Sequence, residues 1–334
     1  MTRFNLVDSS LENFKKRLDR MREEVLEHKL HQPSDYWMHY VSFFEYVFSW
    51  YPEVMDNLRY HTDMISGVHP RRYIDVAKTR PYKERLIESY KELSGEMPDF
   101  EQFSEPKMLG GFGFNFNGKL INEDLLRYMN MIRIMRNVYP FSPDTRCRIL
   151  EIGGGWGGLA YQIKKHCSGV NYILVDLPYT LYFAVYYLYR LNPSLRLWVY
   201  SRDEDPAKFL DYDFIFLPPW ALEAIPKKSI DIAINQSSLG EMTEKQVGFY
   251  SENLARITKI GLVSENRRMA NPFNEELHDL KKLLSHDFIV RDINLPSPKH
   301  SSRRVLGYIK NRLKTVLGRA PLNEYERWFC IPRD

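Results

Sequence analysis

Ile149-Leu150-Glu151-Ile152-Gly153-Gly154-Gly155-Trp156-Gly157-Gly158 is the stretch that decides how this chain is read. Apolar residues suited to a buried strand enclose one Glu, five glycines follow within six positions, and a helix-competent segment opens at Leu159. Glycine lets a backbone turn sharply and approach a ligand closely. Its cost inside helices and strands makes five of them here hard to explain by packing alone. Strand, glycine loop and helix in this order form the nucleotide cradle of doubly wound α/β folds.

Working downstream, the rhythm from Arg146 onward is strand and helix in alternation. Strands are predicted at 148–152, 172–176, 196–200, 213–217, 230–234 and 260–264, and helices at 157–167, 179–191, 243–257 and 274–285. That pattern predicts a Rossmann-like, mainly parallel sheet with helices on both faces. Apolar runs at 288–290, 305–309 and 328–331 offer two further strands, expected to add an antiparallel pair at one sheet edge. Thr243 followed by Gln246 approaches a capping box at the start of the helix over 243–257.

Working upstream, 1–145 reads as a helical N-terminal and lid region, distinct from a nucleotide-binding domain over 146–334. Leu11, Phe14, Leu18, Met21 and Val25 recur at spacings of three and four behind the caps Asp8, Ser9 and Ser10. This stripe offers a seam for a homo-oligomer, although a helix packed on its own domain is the plainer reading of so short a pattern. Further helices are expected at 35–49, 52–65, 81–93 and 122–137. Between them, 108–118 alternates glycine with aromatic residues, so that Phe112 and Phe114 read either as a lip over the substrate or as a packed hairpin.

Composition bounds the function. The chain has 334 residues and a net charge of +4 from 47 basic and 43 acidic side chains, too balanced for a general nucleic-acid binder. Three dispersed cysteines, Cys147, Cys167 and Cys330, give neither a disulfide framework nor a zinc knuckle. The N-terminus lacks the apolar core of a signal peptide, and no apolar run reaches the length of a membrane span. A soluble, cytoplasmic protein is expected. The basic segment 299–319 reads as a solvated insertion, with a membrane-surface or anionic-partner helix as the alternative.

Gly153, Gly155 and Gly158 satisfy the dinucleotide pattern G-x-G-x-x-G, while Glu151, Gly153, Gly155 and Gly157 satisfy E-x-G-x-G-x-G, the first motif of S-adenosylmethionine (SAM) methyltransferases. Asp176, at the end of the next strand, can accept both ribose hydroxyls of either ligand. Glu151 separates them. SAM carries a cationic sulfonium and an ammonium, and an acidic side chain beside the loop suits these and repels a pyrophosphate.

Together with that loop, Val175-Asp176-Leu177-Pro178, Phe216-Leu217-Pro218-Pro219-Trp220 and Asn235-Gln236-Ser237-Ser238-Leu239-Gly240-Glu241-Met242 resemble the sugar O-methyltransferase family. These are class I SAM-dependent enzymes associated with surface-polysaccharide or secondary-metabolite gene sets. The resemblance covers about 146–270. It implies that Glu151, Gly153, Gly154, Gly155 and Gly157 hold the methionine half of SAM, that Asp176 takes the ribose diol and that Leu177 flanks the adenine. Pro219 and Trp220 would wall the adenine pocket, with Asn235 beside the cofactor.

Ligands of open α/β sheets lie outside the carboxyl ends of the strands. Ser238 and Glu241 therefore fall where an acceptor meets the methyl group, and Glu241 is the first candidate for the general base or for a ligand to a metal that acidifies the hydroxyl. Glu265, Asn266 and Arg267 end the next strand at the same rim, with Arg267 or Arg268 suited to a phosphate or carboxylate on the acceptor. His278 is a further candidate base. No spacing marks a dedicated metal site, so a divalent ion is compatible with the chemistry without being indicated. The expected activity is O-methylation of a sugar or glycan hydroxyl. An NAD-dependent oxidoreductase and a non-catalytic interaction protein are the alternatives.

Overall fold

Every residue from Ile149 to Ile152 is buried, as a strand at the centre of a parallel sheet requires. The computed structural model describes residues 9–74, 79–101, 103–267, 279–295 and 325–333. In chain order the helices are α1 (Ser9–Glu24), α2 (Asp35–Val41), α3 (Glu45–Phe48), α4 (Pro52–Met55), α5 (Asp63–Ser66), α6 (Arg80–Glu96), α7 (Glu123–Arg136), α8 (Gly158–His166), α9 (Pro178–Leu191), α10 (Glu244–Ile257) and α11 (Leu280–Leu284). The strands are β1 (Phe114–Phe116), β2 (Lys119–Ile121), β3 (Arg148–Ile152), β4 (Asn171–Val175), β5 (Leu197–Val199), β6 (Phe214–Leu217), β7 (Ile230–Gln236), β8 (Thr258–Arg267), β9 (Phe288–Asp292) and β10 (Tyr325–Pro332).

The main sheet has the order β5-β6-β4-β3-β7-β8-β10-β9. All pairings from β5 to β8 are parallel, and β10 runs antiparallel to both β8 and β9. This is a Rossmann-like, mainly parallel sheet, with the antiparallel pair at one edge that the sequence predicts. The strand order reverses between β3 and β7, the position where such sheets open a crevice.

Alternation along each strand feeds two cores. Ile149, Leu174 and Phe216 join the face covered by α7, α8, α9 and the N-terminal helices. Leu150, Ile152, Ile173 and Val175 join the face covered by α10 and α11. A capping box of Thr243 and Gln246 starts α10, as its sequence foretells.

Four expectations are decided upstream of the sheet. The stripe on α1 is consumed within the chain: Leu18 and Met21 are buried, and the Phe14 ring meets Tyr189 edge-on at 5.7 Å. The plainer reading, a helix packed on its own domain, is the one the structure shows. The helix expected over 52–65 breaks at Asn57, whose side-chain amide bonds back to the Glu53 carbonyl at 3.4 Å and whose backbone leaves helical geometry. The helix expected over 35–49 is likewise divided, by a tight turn at Ser42–Phe44. Phe112 and Phe114 form no exposed lip. They are 6% and 2% exposed, packed around Tyr73 at 5.3 and 4.9 Å, because β1 and β2 make a hairpin that turns them into the core.

Arg59 ties the N-terminal region to the glycine loop. It is fully buried, donates Nε to Glu105 Oε1 at 2.6 Å and Nη2 to Asp124 Oδ2 at 3.0 Å, and lies 3.7 Å from the centre of the Trp156 ring. Arg59→Met would leave buried Glu105 without a counter-charge and Asp124 with only the Arg127 guanidinium at 3.7 Å, a loss of about 3–5 kcal/mol. A urea midpoint unchanged from wild type would contradict this account.

Candidate functional site

Gly153, with φ +67°, turns the chain out of β3, and a Cβ there would come within 1.8 Å of Ser238 Oγ. Only glycine suits both the left-handed backbone and that approach. Ser238 Oγ donates to the Gly153 carbonyl at 3.3 Å, joining the loop to the turn after β7. Gly155, with φ +56°, donates its N–H to Asp176 Oδ2 at 2.7 Å, while Leu177 N–H donates to Oδ1 at 2.7 Å. One carboxylate thus pins the glycine loop to the end of β4.

A cavity opens at this point, outside the carboxyl ends of β3, β4 and β7. Glu151, Gly153, Gly154, Gly155, Trp156 and Asp176 line one side, with Leu177, Pro219 and Tyr250 nearby. Ser237, Ser238 and Glu241 line it from the turn after β7, and Glu265, Arg267, Tyr325 and Arg327 from β8 and β10. The N-terminal region closes it with His31, Ser34, Trp37, Ile65 and Ser66, joined by Asp124, Arg127 and Tyr128 of α7. Segment 30–34 is strapped down: Gln246 Nε2 donates to the Leu30 and Gln32 carbonyls at 3.0 and 2.9 Å, and Ser34 Oγ to the Glu241 carbonyl at 2.8 Å.

Three carboxylates here are reluctant to ionise. Burial pushes Glu151 up to about 8 against a 2.9 Å hydrogen bond from the Tyr172 hydroxyl, with Asp176 adding repulsion. Burial raises Asp176 to about 6 against the donors that hold it. Glu241 rises to about 7, driven by burial and opposed by the Arg267 charge and a hydrogen bond from Trp37. Burial conversely lowers His31 to about 4, so its ring is neutral. Clusters of shifted groups in a cleft are a mark of functional sites.

Other predicted residues lie elsewhere. Asn235 and Asn266 are buried and absent from the cavity wall: Asn235 Nδ2 donates to Ser264 Oγ at 2.8 Å and Asn266 Oδ1 at 2.9 Å, and its Oδ1 accepts from the N–H groups of Ser238 and Leu239 at 3.0 Å each. They shape the turn instead of facing a ligand. Trp220 does not line the cavity beside Pro219; its indole stacks on His28 at 4.4 Å. Gly157 caps α8 with φ +83° and faces Leu188. Glu265 reaches the cavity, but its carboxylate accepts from Arg327 Nε at 2.7 Å, Asn130 at 3.1 Å and Gln236 at 3.5 Å. His278, Arg268 and the basic segment 299–319 lie outside the described residues.

No protein-family model matches the chain, and no curated protein matches its sequence. Solved structures do align with it. The CurJ carbon methyltransferase is 17% identical, over 63% of this chain and 55% of its own, with a TM-score of 0.38. Phosphoethanolamine N-methyltransferase 2 of Haemonchus contortus, in complex with S-adenosyl-L-methionine, is 13% identical over 78% of this chain and 60% of its own, with a TM-score of 0.39. A TehB-like SAM-dependent methyltransferase from Corynebacterium glutamicum is 12% identical over 60% and 86%, with a TM-score of 0.36. The chain spans little more than half the length of the first of these.

Several cavity residues carry no motif. Trp37, Ser66, Asp124 and Arg127 reach the wall from helices far upstream of the glycine loop. Their one trace in the sequence is the i, i+3 spacing of Asp124 and Arg127, which puts both on one face of α7. Among the described residues no group of His, Cys, Asp and Glu is disposed to hold a metal, and no helix is long and apolar enough to cross a membrane.

Proposed function

We propose that the chain is a SAM-dependent methyltransferase that transfers a methyl group to a hydroxyl, the acceptor being a sugar or glycan. The observation that carries this reading is Glu241, a carboxyl poised near neutrality in the same cavity as the glycine loop and Asp176. A general base works best with a pKa near the operating pH.

The residues fit the cofactor. Glu151 is buried with one hydrogen bond, from Tyr172, and its raised pKa marks a carboxylate short of positive charge. An ammonium or sulfonium would supply that charge, whereas a pyrophosphate would worsen the imbalance. When bound, SAM supplies a methyl group already activated by a cationic leaving group. What is left to the protein is to align the acceptor oxygen and take its proton. Glu241 takes that proton, Trp37 and Arg267 set its affinity for it, and Asp176 holds the ribose and the loop together. Glu265, tied to Arg327, shapes the wall. The polar lining and the Trp37 ring suit a sugar, whose faces stack on aromatic rings, and the resemblance in sequence points the same way.

The test is transfer of labelled methyl from SAM to a panel of sugar acceptors. Incorporation into a hydroxyl supports the proposal. Thermal stabilisation by NAD in place of S-adenosylhomocysteine would replace it with an oxidoreductase. Binding of S-adenosylhomocysteine without transfer to any acceptor would favour an interaction protein.

A further inference from the structure

We infer that Arg127 is the receptor for the α-carboxylate of the cofactor's amino-acid tail. This rests on the cofactor reading above, because the methionine end of SAM is the carboxylate it would hold. Other charged groups in the cavity wall already have partners: Arg267 faces Glu241, whose carboxyl its charge favours in the ionised form. Arg327 is committed to Glu265 at 2.7 Å and to the Leu295 carbonyl at 3.2 Å. Glu123 takes Arg72 at 3.2 Å and the Tyr82 hydroxyl at 2.9 Å. Asp124 takes Arg59 at 3.0 Å and Ser66 Oγ at 3.2 Å.

Arg127 differs from these. Among the described residues it makes one hydrogen bond, from Nη1 to the Ser66 carbonyl at 2.6 Å. Glu123 and Asp124 approach it at 3.6 and 3.7 Å, close enough for attraction but beyond hydrogen-bond distance. The guanidinium keeps donors in hand, with a fork geometry that matches a carboxylate.

Its position selects the ligand. Ser66, which anchors Nη1, follows Ile65, the side chain 2.9 Å from where a Cβ on Gly155 would lie. On its other side, the Arg127 carbonyl accepts from Gln236 at 3.2 Å, next to the turn that carries Ser237 and Ser238. Arg127 therefore stands between the glycine loop and the turn after β7, with Glu151 in the same wall. An α-amino acid carries an ammonium and a carboxylate on one carbon. Glu151 with Arg127 gives that zwitterion one partner of each sign.

The same guanidinium could instead meet an anionic group on the acceptor, and the experiment separates the two sources. S-adenosylhomocysteine and its decarboxylated analogue are titrated calorimetrically into the full chain, as wild type, Arg127→Met and Arg127→Lys. Wild type should bind the decarboxylated analogue about tenfold or more weakly, the loss of a charge-assisted pair. Arg127→Met should bind the two ligands alike, and Arg127→Lys should keep part of the difference. Equal affinities in wild type, or an unchanged difference in Arg127→Met, would overturn the inference. An unchanged difference together with a raised acceptor KM would move the anion to the acceptor. If wild type binds neither ligand, it is the cofactor reading that fails, and the inference goes with it.

Discussion

Asp176→Ala should bind S-adenosylhomocysteine about a hundredfold more weakly than wild type and lose most of the ligand's thermal stabilisation. Asp176 has two tasks. Oδ2 accepts the Gly155 N–H and Oδ1 the Leu177 N–H, each at 2.7 Å. A carboxylate has about four acceptor sites; the Thr180 hydroxyl also bonds to this one, and what capacity is left serves the ribose. Alanine removes the ribose contacts and also frees the two N–H groups that hold the loop against β4. A hydrogen bond to a charged acceptor contributes about 1.5–3 kcal/mol, so loss of the ribose contact together with the loosened loop reaches about 2.7 kcal/mol, or two decades in affinity. Asp176→Asn, which keeps one acceptor oxygen, should fall between. Because burial lifts the Asp176 carboxyl to about 6, wild-type affinity should weaken as the pH drops through that value and the acceptor becomes a neutral acid. Affinity of Asp176→Ala within threefold of wild type would remove Asp176 from the cofactor site.

The parts legible in the sequence are those where one local pattern has one physical outcome. Ile149, Leu150 and Ile152 around a lone Glu read as a doubly buried strand, and the glycines after them allowed only a turn. Both held because neighbouring strands impose the same demand on each residue. Illegible were residues whose role depends on a partner distant in the chain. Asn235 and Asn266 stand at strand ends where polar groups usually meet ligands, yet their amides bond to each other at 2.9 Å. Glu265 looked free until Arg327, on the antiparallel β10, was brought against it. Phe112 and Phe114 illustrate a second limit: glycine alternating with aromatics describes an open lip and a packed hairpin equally well. Trp37 and Arg127 had no motif at all, since α2 and α7 bring them to the cavity only after folding.

Glu241→Gln should lower turnover by about two to four decades, the range for loss of a positioned general base, while binding S-adenosylhomocysteine within about twofold of wild type. The amide keeps the shape of the side chain, and the turn around it is held by backbone groups: the Glu241 N–H donates to the Ser238 carbonyl at 3.0 Å, and its own carbonyl accepts from Ser34 Oγ at 2.8 Å. Only the proton acceptor is lost. The pH dependence follows from the sign of the shift. Burial raises the Glu241 carboxyl from its ordinary value to about 7, so the ionised base is scarce below that pH and complete above it. Wild-type turnover should therefore climb about tenfold per pH unit up to about 7 and then level off, and the Glu241→Gln profile should be flat across that range. Trp37→Phe supplies the control for cause. It deletes the hydrogen bond that, with Arg267, holds the carboxyl down, so the acid limb should move to higher pH while the plateau stays within a fewfold of wild type. A Glu241→Gln enzyme that keeps both the wild-type rate and the wild-type pH limb would assign the base to another group in the cavity.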